Sequence, residues 1–455
     1  MIKFISIYAN YYRTIGKLAF PLFLGQLGNI AVGFADNIMV GHYSTDALAS
    51  ASFVNNFFNV TIFACVGFTY GLTPLIGALF ARKDNDPIGR ITRTGLWVNT
   101  VFTLLIAAVM LGIYFCLDSF GQPVHLMPLI RPYYLIVLAG MLPVTIFNVL
   151  AQWSFAINDT AVPTWIVLAA NAFNILFNYI LIFGHFGTPE LGLTGAGIST
   201  LGARIICAVA MAWVFFSTRR GRPFLNGFFH APSRRGNAAL VARTGFPVAI
   251  QMACETAAFS GSAIMAGWIG RDALAAFQIV AISGMLGFCI YYSIGAAMAI
   301  PVSHAAGRGD TLAMRRSARA GYHLILAAML VTCSLFIFGG RHIMGLFTTD
   351  EAVLTLALTL ILPMVLYQFG DATQITFANA LRGTSHVMPM LYIAIASYLV
   401  VGLPCTYILA FPAGLGMYGI VLSFSVSLLM AGALYFWFFV KALRAVDCSR
   451  SKSSE

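Results

Sequence analysis

Charge is scarce in this sequence. Lysine, arginine, aspartate and glutamate together supply 9% of its 455 residues, against roughly a quarter in an ordinary soluble domain, so a water-soluble globular class is excluded. Acids are the scarcer sign, 15 against 26 lysines and arginines. The eight cysteines (Cys65, Cys116, Cys207, Cys254, Cys289, Cys333, Cys405, Cys448) include no C-x-x-C pair and read as inert small hydrophobes. Neither G-x-x-x-x-G-K-[ST] nor H-E-x-x-H occurs, so ATP-driven transport within this chain and zincin chemistry both lack support. The eight histidines are scattered and suggest no metal site.

Long apolar runs are abundant. Hydrophobic residues make up 60% of the chain, and a spanning helix needs about 20 mostly apolar residues. Twelve runs of that kind occur, near 14–36, 51–79, 94–117, 132–156, 163–184, 193–217, 244–269, 275–300, 320–340, 353–380, 387–409 and 418–440. Helices are expected because backbone polar groups in lipid must be satisfied internally, and the runs are too long and evenly apolar for barrel strands. The first run is too long for a cleavable signal and lacks a small-residue cleavage site.

The net charge of +11 would suit a nucleic-acid partner, but its placement argues for topology. With an even number of spans, 22 of the 26 basic residues fall on one side, among them Lys3, Arg82, Arg93, Arg220, Arg234, Arg235, Arg308, Arg450 and Lys452. Arg131, Arg271 and Arg341 fall on the other, and Arg204 lies within the sixth span. The positive-inside rule then puts both termini in the cytoplasm.

The chain also repeats itself. IMVGHYSTDALA (Ile38–Ala49) and IMAGWIGRDALA (Ile264–Ala275) agree at seven of twelve positions with a shift of 226, which also relates Phe20-Pro21 to Phe246-Pro247. Two homologous six-span units are expected, related by an axis along the membrane normal. The expected division is an N-terminal lobe at 1–216, a polar cytoplasmic linker at 217–240, a C-terminal lobe at 241–445 and a cytoplasmic tail at 446–455.

Three acids stand out. Asp36, Glu255 and Asp371 lie within, or at the inner margin of, long apolar runs, where an ionised side chain costs at least about 2.5 to 3.5 kcal/mol on insertion scales. Each sits on a polar stripe at helical spacing: Asn29, Gly33 and Asp36; Gln251, Glu255 and Ser262; Tyr367, Asp371 and Gln374. Asn174 and Asn178 are one turn apart in the fifth span. A buried carboxylate can take up a proton or ligate a hard cation, and either event neutralises it. Charged and neutral states then favour different helix packings, which is a route to ion-driven alternating access.

These segments, GFADNIMVG with Asp36, PVAIQMACE ending in Glu255, YQFGDATQ followed by ALRG, and the basic loops FARKD and AAGRGD, resemble those of multidrug and toxic compound extrusion (MATE) transporters, most closely their NorM-like branch. The resemblance spans about residues 15–440. It implies an all-α membrane fold of twelve helices in two six-helix lobes with a V-shaped central cavity, and export of organic cations in exchange for sodium or protons. It implies a second-lobe cation site at Glu255, Asp371 and Tyr367, with Glu255 and Asp371 as the sodium ligands if sodium couples. It implies a first-lobe site at Asp36, Asn174 and Asn178. An eighth-span aromatic can join the second-lobe site, and Phe288, Tyr291 and Tyr292 are candidates. Gln26, Asn29, Gln251, Tyr291, Tyr292 and Gln374 are candidate substrate-cavity residues. No cofactor is expected beyond the coupling ion, and the branch resemblance favours sodium. Small organic cations and the lipid bilayer are the expected partners of a monomer in a bacterial cytoplasmic membrane, with no nucleic acid.

Three rival classes are weaker. Gly307-Arg308-Gly309-Asp310 matches the G-x-G-D of intramembrane aspartyl proteases, but that chemistry needs the acid inside a span beside a second one, and Asp310 falls in a basic loop. A lipid-linked flippase of the same superfamily calls for several cationic residues within the spans to hold phosphates, and only Arg204 qualifies. A passive channel would lack the paired carboxylates.

Overall fold

The computed structural model describes residues 2–232, 236–348 and 350–453, with side chains described from 7 to 447 inside those ranges. Lys3, Arg234, Arg235, Cys448, Arg450 and Lys452 of the charge and cysteine patterns, and most of the expected tail, lie outside the residues so described.

Among the described residues the chain is helical without strands. Its α-helices are α1 (Ile2–Tyr43), α2 (Thr45–Thr69), α3 (Leu72–Ala81), α4 (Asn85–Phe115), α5 (Met127–Ala139), α6 (Met141–Ala156), α7 (Ala161–Phe183), α8 (Gly192–Ser217) and α9 (Arg222–Phe229). They continue with α10 (Gly236–Ile269), α11 (Arg271–Gly307), α12 (Thr311–Gly345), α13 (Glu351–Thr359), α14 (Ile361–Gly383), α15 (Met388–Ala394), α16 (Leu403–Ala410) and α17 (Gly416–Ser453). Among the described residues eleven spans are long and apolar enough to cross a membrane, or twelve if α13 and α14, bent by 48° at their break, are counted as one. Eleven of the twelve expected runs are spans, and the tenth, 353–380, falls on the bent pair. α2 with α3, and α5 with α6, each count as one span, and a π-helical segment, Ile395–Gly402, joins α15 to α16.

The repeat is visible in this order. α4 and α12 begin 226 residues apart, α7 and α15 227 apart, and α8 and α17 224 apart. α1 and α10 each carry an internal proline, Pro21 and Pro247. Proline removes one backbone hydrogen bond and crowds the preceding turn, so both helices have a weak point at matching places.

By compactness the chain forms two units, one from Leu24 to Ala249 and the other combining the chain up to Phe23 with the chain from Ile250 onward. Each boundary falls two residues beyond the internal proline of α1 or α10. Compact units and repeats thus differ at their edges: the first half of α1 groups with the later unit, where the Tyr12 hydroxyl meets His323 Nδ1 at 2.9 Å. The start of α10 groups with the earlier unit, where a Cβ on Gly245 would stand 2.6 Å from the Phe68 carbonyl oxygen. The division at 216 and 241 remains a reading of ancestry.

The stretch expected to be a polar linker holds a docked helix. Arg93 donates from Nη1 to the Phe228 carbonyl and from Nη2 to that of Ala231, both at 2.8 Å, taking up orphan carbonyls at the end of α9. Two glycines let α9 lie directly on α4. A Cβ at Gly89 would be 2.0 Å from the Phe224 carbonyl oxygen, and one at Gly227 would be 2.0 Å from that of Asp86.

The G-x-G-D segment has a structural explanation. Asp310 is the N-cap of α12 and accepts from the Ala313 N–H at 2.9 Å, while Gly309 takes a left-handed conformation at φ 68°. Its repeat counterpart Asp84 occupies the N-cap position of α4. This is ordinary capping chemistry.

Candidate cation sites in the two units

In the Leu24–Ala249 unit, Asp36 lies about two turns inside the end of α1, because the helix continues to Tyr43. It is a half-buried residue within a continuous helix, deeper in its element than the expected span edge at 36 suggested. Asn178 Nδ2 on α7 donates to Asp36 Oδ1. With the Asn174 amide oriented as its neighbours require, its nitrogen donates to the same oxygen at 3.0 Å and its oxygen accepts from the Thr200 N–H and hydroxyl at 3.2 Å. Asn174 is 2% exposed and Asn178 fully buried. The i, i+4 spacing puts both amides on one face of α7, and α1 brings the carboxylate to them.

The Oδ1 of Asn178 is buried without a hydrogen-bond partner among the described residues. An orphan amide oxygen beside a carboxylate is a donor set suited to a hard cation, which takes oxygen ligands. The geometry therefore brings together Asp36, Asn174 and Asn178, and adds Thr200 of α8, which sequence reasoning passed over. Asn29 accepts from Asn171 Nδ2 at 3.3 Å, and Gln26 is half-buried on α1; neither makes a described hydrogen bond to Asp36.

A cavity of about 170 Å³ adjoins this carboxylate, lined by Asp36, Asn55, Tyr133, Ile136, Val137, Gly197, Thr200, Leu201 and Arg204. Arg204 forms no hydrogen bond with Asp36 and no ion pair with it among the described residues, although each feels the other's charge. The pairing of α1 with α8 around one cavity has no periodic signal in the sequence.

In the later unit, Asp371 (7% exposed), Tyr367 (8%) and Gln374 (2%) share one face of α14. Asp371 makes no hydrogen bond among the described residues and lies within electrostatic reach of Glu255. Glu255 accepts from Gln251 Nε2 at 3.1 Å, one turn earlier on α10. The structure therefore sets the two acids near one another and places Gln251 on Glu255.

Tyr367 is held against α11. A Cβ at Gly284 would lie 2.0 Å from the Tyr367 hydroxyl oxygen, so only glycine leaves that space. Tyr291 is fully buried among Ile325, Met329, Cys333, Ala372 and Ile375, with its hydroxyl hydrogen-bonded to that of Thr332. Tyr292 is half-buried and stacks on Phe288, with ring centroids 5.5 Å apart.

Two tyrosines escaped sequence reasoning. Tyr398, in the π-helical segment, and Tyr435, on α17, both lie within electrostatic reach of Glu255, and Tyr398 also of Asp371. The Tyr398 hydroxyl lies beside the Gln374 side chain, and among the described residues the Tyr435 hydroxyl is buried without a hydrogen-bond partner, as are Oε1 of Gln368 and of Gln374. Buried polar atoms are rarely left so. Neutral oxygens concentrated around two carboxylates are again a cation-compatible donor set. No three of His, Cys, Asp and Glu gather into a metal cage among the described residues, so a cation here would lean on amide and hydroxyl oxygens. A π-helical segment carries one extra residue per turn, so helical spacing counted from the neighbouring turns does not place Tyr398.

Fold and site together define a polytopic helical membrane protein that keeps three carboxylates inside its spans, each in the company of neutral oxygens. The MatE family profile matches residues 21–180 and again 247–408, two blocks whose starts are 226 apart, and the chain belongs to the MatE family. Curated relatives include a protein of Xanthomonas campestris pv. campestris, 31% identical over 395 residues covering 86% of each chain. Another, from Bradyrhizobium diazoefficiens, is 31% identical over 442 residues, covering 94% of this chain and 93% of its own. Both carry the name "Probable multidrug resistance protein NorM". A crystal structure of MATE in the straight conformation matches the fold with TM-score 0.85 at 19% identity, over 96% of this chain and 97% of its own. A transporter of the MOP superfamily from Pyrococcus furiosus, described as having a binding pocket of reverse polarity, matches with TM-score 0.86 at 17% identity, over 96% and 97%. The chain is an integral membrane protein of this fold.

Proposed function

We propose that the chain is a secondary active multidrug exporter that expels organic cationic and amphipathic compounds in exchange for an inward-moving cation, sodium or proton, by alternating access. The observation that carries this reading is the presence, in each compact unit, of a carboxylate set near buried oxygens that have no hydrogen-bond partner among the described residues: Asn178 Oδ1 in the first, and Gln374 Oε1 with the Tyr435 hydroxyl in the second. Asp36 with Asn174, Asn178 and Thr200 forms one coupling site. Glu255 and Asp371 with Tyr367 form the other, supported by Gln251, Tyr398 and Tyr435.

Loading a cation neutralises each carboxylate, and unloading restores a charge that the low-dielectric interior disfavours. The two states differ by enough to bias the packing of long helices, which is the requirement for coupling. Sodium is favoured over protons by the amide oxygens at Asp36, where a second acid would better suit a proton. The protein acts as a monomer in a bacterial cytoplasmic membrane with both termini inside, as its basic loops suggest, and it transports rather than catalyses. A flippase would need several arginines facing the cavity, which Arg204 alone lines among the described residues, and Asp310 has its capping role in place of protease chemistry.

Proteoliposomes loaded with a fluorescent organic cation and given a sodium gradient or a pH gradient, each alone, test the reading. Uphill dye movement under one of the two is expected, and movement under neither would overturn it.

A further inference from the structure

We propose that α9, with the start of α4 and the end of α8, binds the headgroup of an anionic phospholipid on the face that the proposed topology turns toward the cytoplasm. The juxtaposition behind this is one of exposed arginines and exposed aromatic rings, on and around a short helix docked across the ends of two spans.

The chain turns back sharply from α8 into α9. A Cβ at Gly221 would collide with the Phe215 carbonyl, and the Arg222 N–H donates to the Thr218 carbonyl at 3.2 Å. On α4, Asp86, Gly89, Arg90 and Arg93 follow i, i+3, i+4, i+7 and so share the face that α9 covers. Two acids nearby are already engaged: Asp86 accepts from Asn226 Nδ2 at 3.1 Å, and Asp159 pairs with Arg220 at 3.0 Å. Arg219 and Arg222 are exposed and form no ion pair among the described residues. Arg90 Nε is buried in the α4 stripe without a hydrogen-bond partner among the described residues. Buried donors are rarely left so, and a phosphodiester oxygen is an acceptor that suits a guanidinium.

The rings supply the apolar half. Phe229 on α9 is exposed, and its ring centroid lies 5.9 Å from that of Phe216 in the last turn of α8. Phe229 therefore stands level with the end of that span, one turn from the exposed Trp213. Trp97, also exposed, is one turn beyond Arg93 on α4. Aromatic side chains at the ends of spans are the ones that meet the lipid interface, and a short amphipathic helix with basic residues lies along it. Arginines and rings thus match the two parts of one molecule, a phosphate and the upper stretch of an acyl chain. Free phosphate would satisfy the arginines and leave the rings bare, so a lipid is the occupant.

The test titrates the purified full chain, in nonionic detergent, with brominated phosphatidylglycerol or brominated phosphatidylcholine and reads the quenching of tryptophan fluorescence. Phosphatidylglycerol is expected to bind about twentyfold tighter or more, since each arginine near an anionic headgroup is worth about fivefold. Arg219→Gln with Arg222→Gln lowers that preference by about tenfold or more and leaves the unfolding temperature in detergent alone unchanged. Trp97→Phe with Trp213→Phe removes the quenching that those arginines govern. Should the arginine pair fail to fold, Phe229→Ser carries the test and weakens phosphatidylglycerol binding severalfold. Equal affinity for the two lipids, a preference untouched by these substitutions, or arginine-dependent quenching that survives the loss of both tryptophans would overturn the proposal. Displacement of phosphatidylglycerol by an equal concentration of inorganic phosphate would overturn it too, by making the site one for a free anion. The readout involves no dye transport, so its failure would leave the export reading standing.

Discussion

Gly284 offers the sharpest test of how Tyr367 is held beside Asp371. A Cβ at position 284 would stand 2.0 Å from the Tyr367 hydroxyl oxygen, but 3.3 Å from the ring carbon that bears it. Real Cβ contacts essentially never fall below 3.0 Å, so in Gly284→Ala the hydroxyl must retreat by about 1 Å. Overpacking of this kind costs roughly 1 to 3 kcal/mol, and here it also disturbs the face that carries Asp371. Removing the hydroxyl removes the clash. Gly284→Ala combined with Tyr367→Phe should therefore recover most of the stability lost in Gly284→Ala, a coupling of about 1 to 2 kcal/mol in a double-mutant cycle. Thermal unfolding of the purified protein in detergent, followed by tryptophan fluorescence, reads the cycle. A Gly284→Ala variant as stable as wild type, or a double variant no better than Gly284→Ala, would refute this placement of Tyr367.

Two further predictions follow from the fold. Asp310→Ala should cost about 0.5 to 2 kcal/mol, the worth of a helix cap, while dye efflux persists once expression is matched; complete loss of efflux from a stably folded variant would give Asp310 a functional role. Gly89→Ala should lift α9 from α4, since a Cβ there meets the Phe224 carbonyl oxygen at 2.0 Å, and limited proteolysis between 217 and 240 should quicken by severalfold; an unchanged cleavage rate would contradict the docking.

Much of the architecture could be read from the chain, because lipid forces helices to be long and apolar, and eleven of the twelve expected runs are spans, with the run at 353–380 on the bent pair α13 and α14. The bend between α13 and α14 at Leu360 has no proline at the break itself, with Pro363 three residues later, so periodicity ran through it. α9 is only eight residues long and lies in a polar stretch, where composition signals a linker. Asp36, Glu255 and Asp371 stood out because acids are rare in apolar runs. Their companions were harder to see: Asn174 and Asn178 announced themselves by i, i+4 spacing, whereas Thr200, Tyr398 and Tyr435 are unremarkable until packing brings them near a carboxylate. Arg204 was visible as a lone charge in the sixth span, but its sharing of a cavity with Asp36, 168 positions away, is a fact of tertiary structure alone.

The central claim is that carboxylates inside the spans load and release the driving cation. Proteoliposomes containing the variant with Asp36→Asn, Glu255→Gln and Asp371→Asn together, given sodium and pH gradients in turn, test it most directly. The account predicts that the variant inserts and folds but moves no dye uphill under either gradient, while wild type does so under at least one; uphill efflux by the variant at the wild-type rate would contradict it.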